Sequence, residues 1–243
     1  MRALIAVSLV MSLQQVSFKE SQLKHSRVNS AYQEKERLVK EYFTNKQLDY
    51  GGFHLFIRAF KQEKLLEIWI KEKGDETHHL LTTYPICTTS GVLGPKRKEG
   101  DLQIPEGVYR INHFNPVSTF HLSLGVSYPN ASDRILSDPK HPGGAIYIHG
   151  NCVTLGCLPI TDDRIKELYV LAVEANNNGQ TDIPLHIFPA KFDQHVVADL
   201  KEKFEKSPAT IRFWENLKIV YDDFQKLKTL KRIRVNNKGE YYF

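Results

Sequence analysis

A chain of 243 residues has room for one sizeable core with helical additions and is short for two full independent domains. Hydrophobic residues make up 41% and charged residues 25%, the balance of an ordinary folded protein, which excludes a chain built mainly of membrane spans or of disordered polar tracts. The net charge of +5 favours polyanions in general, but the excess is spread thinly and singles out neither nucleic acid, a membrane surface nor an anionic wall polymer.

Behind Met1-Arg2, residues 3–13 form an apolar run that gives way to Ser/Gln-rich sequence. A spanning helix takes about 20 apolar residues, so this run reads as an export signal over residues 1–17, although it lacks an A-x-A cleavage pattern. The first cysteine is Cys87, so no lipid anchor is expected. The mature protein is expected to be soluble and exported, to the periplasm or cell envelope, with no integral membrane span.

Over residues 22–50, Val28, Tyr32, Leu38, Val39, Tyr42 and Phe43 recur at helical spacing until Gly51-Gly52 stops them. The period then shortens. Residues 54–60, 65–70 and 77–87 read as an antiparallel meander, and a Gly/Pro-rich loop over 88–107 leads to short strands at 108–114, 119–124 and 145–149. A helix follows Cys157, capped by Thr161 or Asp162, with Ile165, Leu168, Ala172 and Ala175 on one face and a stop at residues 176–179. A buried strand at 183–188 closes the β region. Amphipathic helices over 192–204 and 211–227 are separated at Ser207-Pro208, with Trp214, Leu217, Tyr221 and Phe224 as the apolar stripe of the second. Residues 233–235 and 241–243 make a terminal hairpin. The organisation expected is a helical segment at 18–50, a β-rich body at 51–190 and a helical extension with hairpin at 191–243.

The chemistry concentrates in residues 145–158. An apolar strand delivers His149 to its end, a loop with two glycines follows, and Cys157 precedes a helix. A thiol needs its proton removed before it attacks, and a neighbouring imidazole takes that proton or pairs with the thiolate, lowering the cysteine pKa. Outward-pointing Gly156 and Cys157 amides form an oxyanion hole, and a glycine at 156 lets a substrate carbonyl approach the backbone. A buried structural thiol beside a core histidine would show the same letters.

The sequence His149-Gly150, Thr154, Gly156-Cys157 resembles the H-G … [ST]-x-G-C signature of the YkuD-type L,D-transpeptidases, and Gly94-Pro95-Lys96, Gly100-Asp101 and Pro105-Glu106-Gly107-Val108-Tyr109 are similar to that family's upstream block. Residues 120–124 and 128–134 and the compact spacing around Cys152 look like its YafK-like branch. The resemblance covers roughly residues 53–188 and, through Phe213-Trp214 and Gly239-Glu240-Tyr241, extends towards the C-terminus. It implies an α+β fold, with a β-rich L,D-transpeptidase-like catalytic domain of mixed sheets or a β-sandwich flanked by N- and C-terminal helices. It also implies an acyl-enzyme formed with diaminopimelate-containing peptidoglycan stem peptides, and no metal or cofactor. Carried over by residue, Cys157 is the nucleophile, His149 the general base and then acid, the Gly150 carbonyl orients the imidazole, and the Gly156 and Cys157 amides hold the oxyanion. The same thioester serves transfer to an amine or, as the YafK-like branch implies, hydrolysis that frees a peptidoglycan-attached protein or cross-link. Many members have His before the Gly-Cys pair and Arg two residues after the cysteine, where this chain has Leu155 and Pro159. With the arginine absent, Arg134, Lys96 and Tyr128 are the candidates for a substrate carboxylate, with His121 and Thr154 as further cleft residues.

Other readings compete at several positions. Cys87 is expected in the core, and Cys152 is either a packing residue or a redox partner of Cys157. His113, His121 and His141 are expected as framework or surface residues before cleft residues, and a metal site from His141, His149 and Cys157 has no recognised zinc spacing. A non-catalytic peptidoglycan-binding module is the rival from another class. No nucleic-acid partner is expected.

Overall fold

The computed structural model of the chain describes residues 16–243, and the apolar run expected to act as an export signal lies outside the described residues. Among those residues no helix is long and apolar enough to cross a membrane. Helix α1 (Phe18–Leu23) opens with a capping box in which Ser17 Oγ accepts the Glu20 amide and the Glu20 carboxylate accepts the Ser17 amide, a device that contributes about 1 kcal/mol. After a break at His25, α2 (Ser26–Lys46) runs on, so the single helix expected from residue 22 is two.

The β body is one mixed eight-stranded hydrogen-bonded sheet. Its strands are β1 (Phe53–Phe60), β2 (Leu65–Glu72), β3 (His79–Pro85), β4 (Gly107–Asn115), β5 (Ser123–Val126), β6 (Tyr147–His149), β7 (Leu158–Pro159) and β8 (Ile183–Phe188), in the order β3-β2-β1-β8-β4-β5-β6-β7. The meander β1–β3 stands as read. Strand β8 returns to pair parallel with β1, placing β1 in the middle of the sheet with both faces covered. That double burial is why Phe53–Phe60 shows no polar alternation. On one face α4 (Thr161–Asn177) packs against the sheet with α1 and α2 over it, fastened by Tyr32 donating to Glu174 at 2.8 Å. Towards the other side α5 (Gln194–Lys203) and α6 (Pro208–Leu227) bury Phe213, Trp214, Leu217 and Tyr221 against Phe60 and Phe188. The fold is α+β.

Three local readings change. The strand placed at 119–124 begins at Ser123, because the preceding carbonyls have other partners: Arg27 of α2 donates to Ser118 and His121, and the Gly150 amide donates to Phe120. His121 sits in the left-handed region at φ 69°, in a turn rather than a strand. Helix α3 (Ala131–Leu136) was not foreseen, although Asn130 and Asp133 spell its capping box. At the start of α4, neither Thr161 nor Asp162 caps; the Asp162 carboxylate accepts the Asn151 amide at 2.7 Å and so serves the preceding loop.

The loop between β3 and β4 is pinned by a buried ion pair. Lys61 Nζ donates to Glu106 Oε1 at 2.8 Å and to the carbonyls of Gly94 and Ile104, and Trp214 Nε1 donates to Glu106 Oε2 at 2.6 Å. Removing either charge strands the other in the interior, a loss of about 3–5 kcal/mol. The C-terminal hairpin, β9 (Arg234–Val235) with β10 (Tyr241–Tyr242), docks on α3 through Ser132 donating to the Gly239 carbonyl and Asn130 donating to Tyr241.

Candidate active site

Ile148 of β6 pairs with Leu158 of β7, and both are fully buried. Side chains alternate along a strand, so His149, one position after Ile148, and Cys157, one position before Leu158 and just ahead of β7, both leave the opposite face, at diagonal positions. They share a cavity of about 280 Å³ walled by Asn115, Phe120, Ser123, Ala145 and Tyr147.

The imidazole is fixed by two contacts. Nδ1 donates to the Gly150 carbonyl at 2.5 Å, and the ring stacks on Phe120 with centroids 4.6 Å apart. Nε2 is buried with no hydrogen-bond partner. With the proton held on Nδ1 by the carbonyl, Nε2 presents a lone pair to the cavity. Burial holds the His149 pKa below the ordinary imidazole value, and the Gly150 bond offsets only part of this. The ring is therefore neutral at neutral pH.

Cys157 is partly exposed and its thiol is free. Burial pushes the thiol pKa up, against opposing pulls from the Tyr147 backbone and the Lys96 charge. This corrects the expected lowering by the imidazole: a neutral ring offers no positive charge to stabilise a thiolate. At rest the pair is a thiol that donates to the Ala145 carbonyl at 3.8 Å and a neutral base in the same cavity.

The loop between the two residues is held by close backbone approaches. A side chain at Gly150 would place its Cβ 2.4 Å from Asp162 Oδ1 and 2.8 Å from the Phe120 carbonyl. Gly156 has φ +111° and faces the Gln103 carbonyl, so it needs both the dihedral freedom and the space. The two amides expected to hold an oxyanion are already engaged: Gly156 donates to Ser90 Oγ at 2.7 Å, and Cys157 to Thr154 Oγ1 at 2.8 Å. Thr154 also donates to the Cys157 carbonyl, so it builds the turn and is not free to meet substrate.

The remaining candidates are dispersed. Lys96 is buried, with Nζ bonded to Asp101 at 2.6 Å and to the Lys98 carbonyl, and reaches Cys157 only through its charge. Tyr128 donates to the Pro142 carbonyl at 2.8 Å and lines, with Arg134, a separate groove. His121 lies outside the cavity, its carbonyl held by Arg27. His113 rests its ring against Tyr147, and the His141 carbonyl accepts the Glu99 amide.

Both expectations for the other cysteines are overturned. Cys87 and Cys152, 65 residues apart in sequence, form a disulfide with Cα atoms 5.8 Å apart. It ties the end of β3 to the loop between His149 and Cys157 and leaves Cys157 as the free cysteine. Cys87 is thus not a lone core thiol, and Cys152 is not paired with Cys157. Sequence reading gave no role to Ser90 or Arg27; neither stands in a recognisable pattern, and their partners lie 66 and more than 90 residues away.

The model of the YkuD family, the L,D-transpeptidase catalytic domain, matches residues 55–181. The chain is 33% identical over 192 residues to a protein of Escherichia coli (strain K12) named putative L,D-transpeptidase YafK, covering 78% of this chain and 74% of that one. Among solved structures, the helical cell shape determining protein Pgp2 of Campylobacter jejuni is similar with a TM-score of 0.46 and 16% identity, over 76% of this chain and 74% of that chain. Bd1075 of Bdellovibrio bacteriovorus follows with a TM-score of 0.41 and 22% identity, over 72% of this chain and 61% of that chain. The extent of the family match and of the YafK identity establish that the chain belongs to the YkuD family of L,D-transpeptidase catalytic domains.

Proposed function

We propose that this protein is a cysteine acyl-transfer enzyme of the bacterial cell wall that acts on diaminopimelate-containing stem peptides of peptidoglycan. The observation that carries it is the unpartnered, buried His149 Nε2 sharing a cavity with the free thiol of Cys157. As the sulfur bonds to the carbonyl carbon following an L-centre, its proton passes to Nε2 and the carbonyl oxygen takes up the negative charge. Collapse of the tetrahedral intermediate breaks the C–N bond, the Nε2 proton goes to the leaving amine, and a thioester remains on Cys157. An amine or a water then attacks the thioester, giving up its proton to Nε2, and the thiol is regenerated. For the Gly156 and Cys157 amides to hold the oxyanion, Ser90 and Thr154 must share or release them.

Export to the cell envelope is part of the same proposal and draws support from the Cys87–Cys152 disulfide, which belongs to an oxidising compartment. The partners proposed are stem peptides and, on the hydrolytic branch, a protein attached to them. Purified protein incubated with muropeptides and read by intact mass is expected to carry an acyl adduct on Cys157. Dimeric products identify transfer, and shortened or freed monomers identify hydrolysis. If Cys157→Ala leaves the product profile identical to wild type, the non-catalytic module replaces the enzyme.

A further inference from the structure

The groove that receives Arg134 is larger than the catalytic cavity, about 940 Å³, and its charge is one-sided. Three arginines from three parts of the fold line it: Arg110 on β4, Arg134 on α3 and Arg232 just before the terminal hairpin. The one carboxylate that answers them is Asp182, 3.1 Å from Arg110. Arg134 and Arg232 have no ion-pair partner among the described residues, and both are exposed.

Sheet register connects this groove to the catalytic cavity. Asn115, Ser123 and His149 are paired across β4, β5 and β6, and so share a face. His113, Gly125 and Tyr147 are the next such row, on the same face. Beyond a bulge at residues 111–113, Asn112 and Arg110 continue it into the groove. Asn112 and His113 are exposed, so the strip between cavity and groove is not covered. From Asn115 to Arg110 is five residues, on the order of 17 Å along a strand. This is the reach of a short extended peptide.

From this juxtaposition we infer that the arginine groove is a distal subsite that binds a carboxylate of the acidic peptide whose carbonyl lies at Cys157. The inference rests on the acyl-transfer reading for its substrate. Guanidinium groups grip carboxylates with paired, charge-assisted hydrogen bonds, and two with no internal partner line this one groove. The site supplies the positive charge that Pro159 cannot, and supplies it far from the thiol instead of two residues after it.

The test compares wild type with the double variant Arg134→Ala/Arg232→Ala on a disaccharide peptide bearing free carboxylates and on the same peptide with its carboxylates amidated. Both side chains are exposed, and a thermal melt of the variant checks that it folds. For the carboxylate substrate KM is expected to rise roughly tenfold in the variant, with kcat unchanged. The amidated substrate is expected to show the same high KM with both proteins. Equal KM values for the carboxylate substrate, or an equal penalty on the amidated one, overturn the subsite and leave acyl transfer standing. Calorimetric titration of the acidic stem peptide into the Cys157→Ala protein, with and without the two arginine changes, separates the two readings. Arginine-dependent binding to the Cys157→Ala protein supports the groove whatever the wild type's chemistry, arginine-independent binding overturns the groove, and only a wild type that never acquires an acyl adduct overturns the enzyme.

Discussion

At the scale of single residues, the decisive property is that neither member of the proposed catalytic pair carries charge at rest. Burial lowers the basicity of His149 and raises the pKa of Cys157, so no thiolate–imidazolium pair is waiting for substrate. The proton must move as the carbon–sulfur bond forms. Two pH profiles follow. For kcat/KM, activity requires Nε2 unprotonated, so the acid limb is expected to lie below the ordinary imidazole value of about 6.5. For alkylation of Cys157 by iodoacetamide in the absence of substrate, the rate is expected to climb with a midpoint above the ordinary thiol value of about 8.5. An alkylation rate already at its plateau near neutrality would show a preformed ion pair and reject this account. The pairing of His149 with Cys157 was legible through the resemblance of His149-Gly150 and Gly156-Cys157 to the family signature, because the two letters alone fit a structural thiol beside a core histidine equally well. The direction of their pKa shifts was not legible, since it comes from Phe120 and the other cavity walls.

Among elements, the N-terminal helices lie wholly outside the residues the family model matches, and their contacts give them a task. Arg27 on α2 donates to the carbonyls of Ser118 and His121, which bracket Phe120. Phe120 in turn stacks on the His149 ring and accepts the Gly150 amide. Arg27 is therefore a positioning residue acting through Phe120. Arg27→Ala is expected to reduce kcat about tenfold and to move the acid limb up towards the ordinary imidazole value as water reaches the ring. Arg27→Lys, which keeps one charged donor, should recover part of both. The helix itself stays anchored by Tyr32 and Lys35 to α4, so the thermal midpoint is expected to change little. A lower rate with an unmoved acid limb would mean that Arg27 acts on something other than the imidazole. Helices and central strands announced themselves through long apolar periods. What escaped was short and stabilised from a distance: α3, two-residue β7, and the turn that replaced the first half of the strand expected at 119–124. The Cys87–Cys152 bond escaped for the same reason, because three cysteines allow three pairings and only the fold brings the end of β3 beside the loop after β6.

For the molecule as a whole, the sheet and its helical covers bury titratable groups whose protonation is linked to folding. Burial lowers the pKa of His78 to about 4 and of His186, beside the cation of Arg58, to about 3. Both are protonated in the unfolded chain below its ordinary imidazole value and remain neutral in the native state until much lower pH. Their contribution to stability is present above about 6.5 and is lost as pH falls from there towards the native values. Asp133 works the other way: burial raises it to about 6, despite bonds from Asn130, Tyr109 and Arg97, so the native state holds a proton that the unfolded chain has released. Near pH 5 the unfolded chain gains about two protons from these histidines and the native chain about one at Asp133. The net of about one proton gives a slope of about 1.4 kcal/mol per pH unit, with stability falling as the solution is acidified. Thermal melts between pH 7 and pH 4.5 are expected to show a steadily declining midpoint. In His186→Gln, which cannot titrate, the slope should fall by about one proton near pH 5. A midpoint that is flat in the wild type, or a slope unchanged by the substitution, would place the linkage in groups other than these two buried rings.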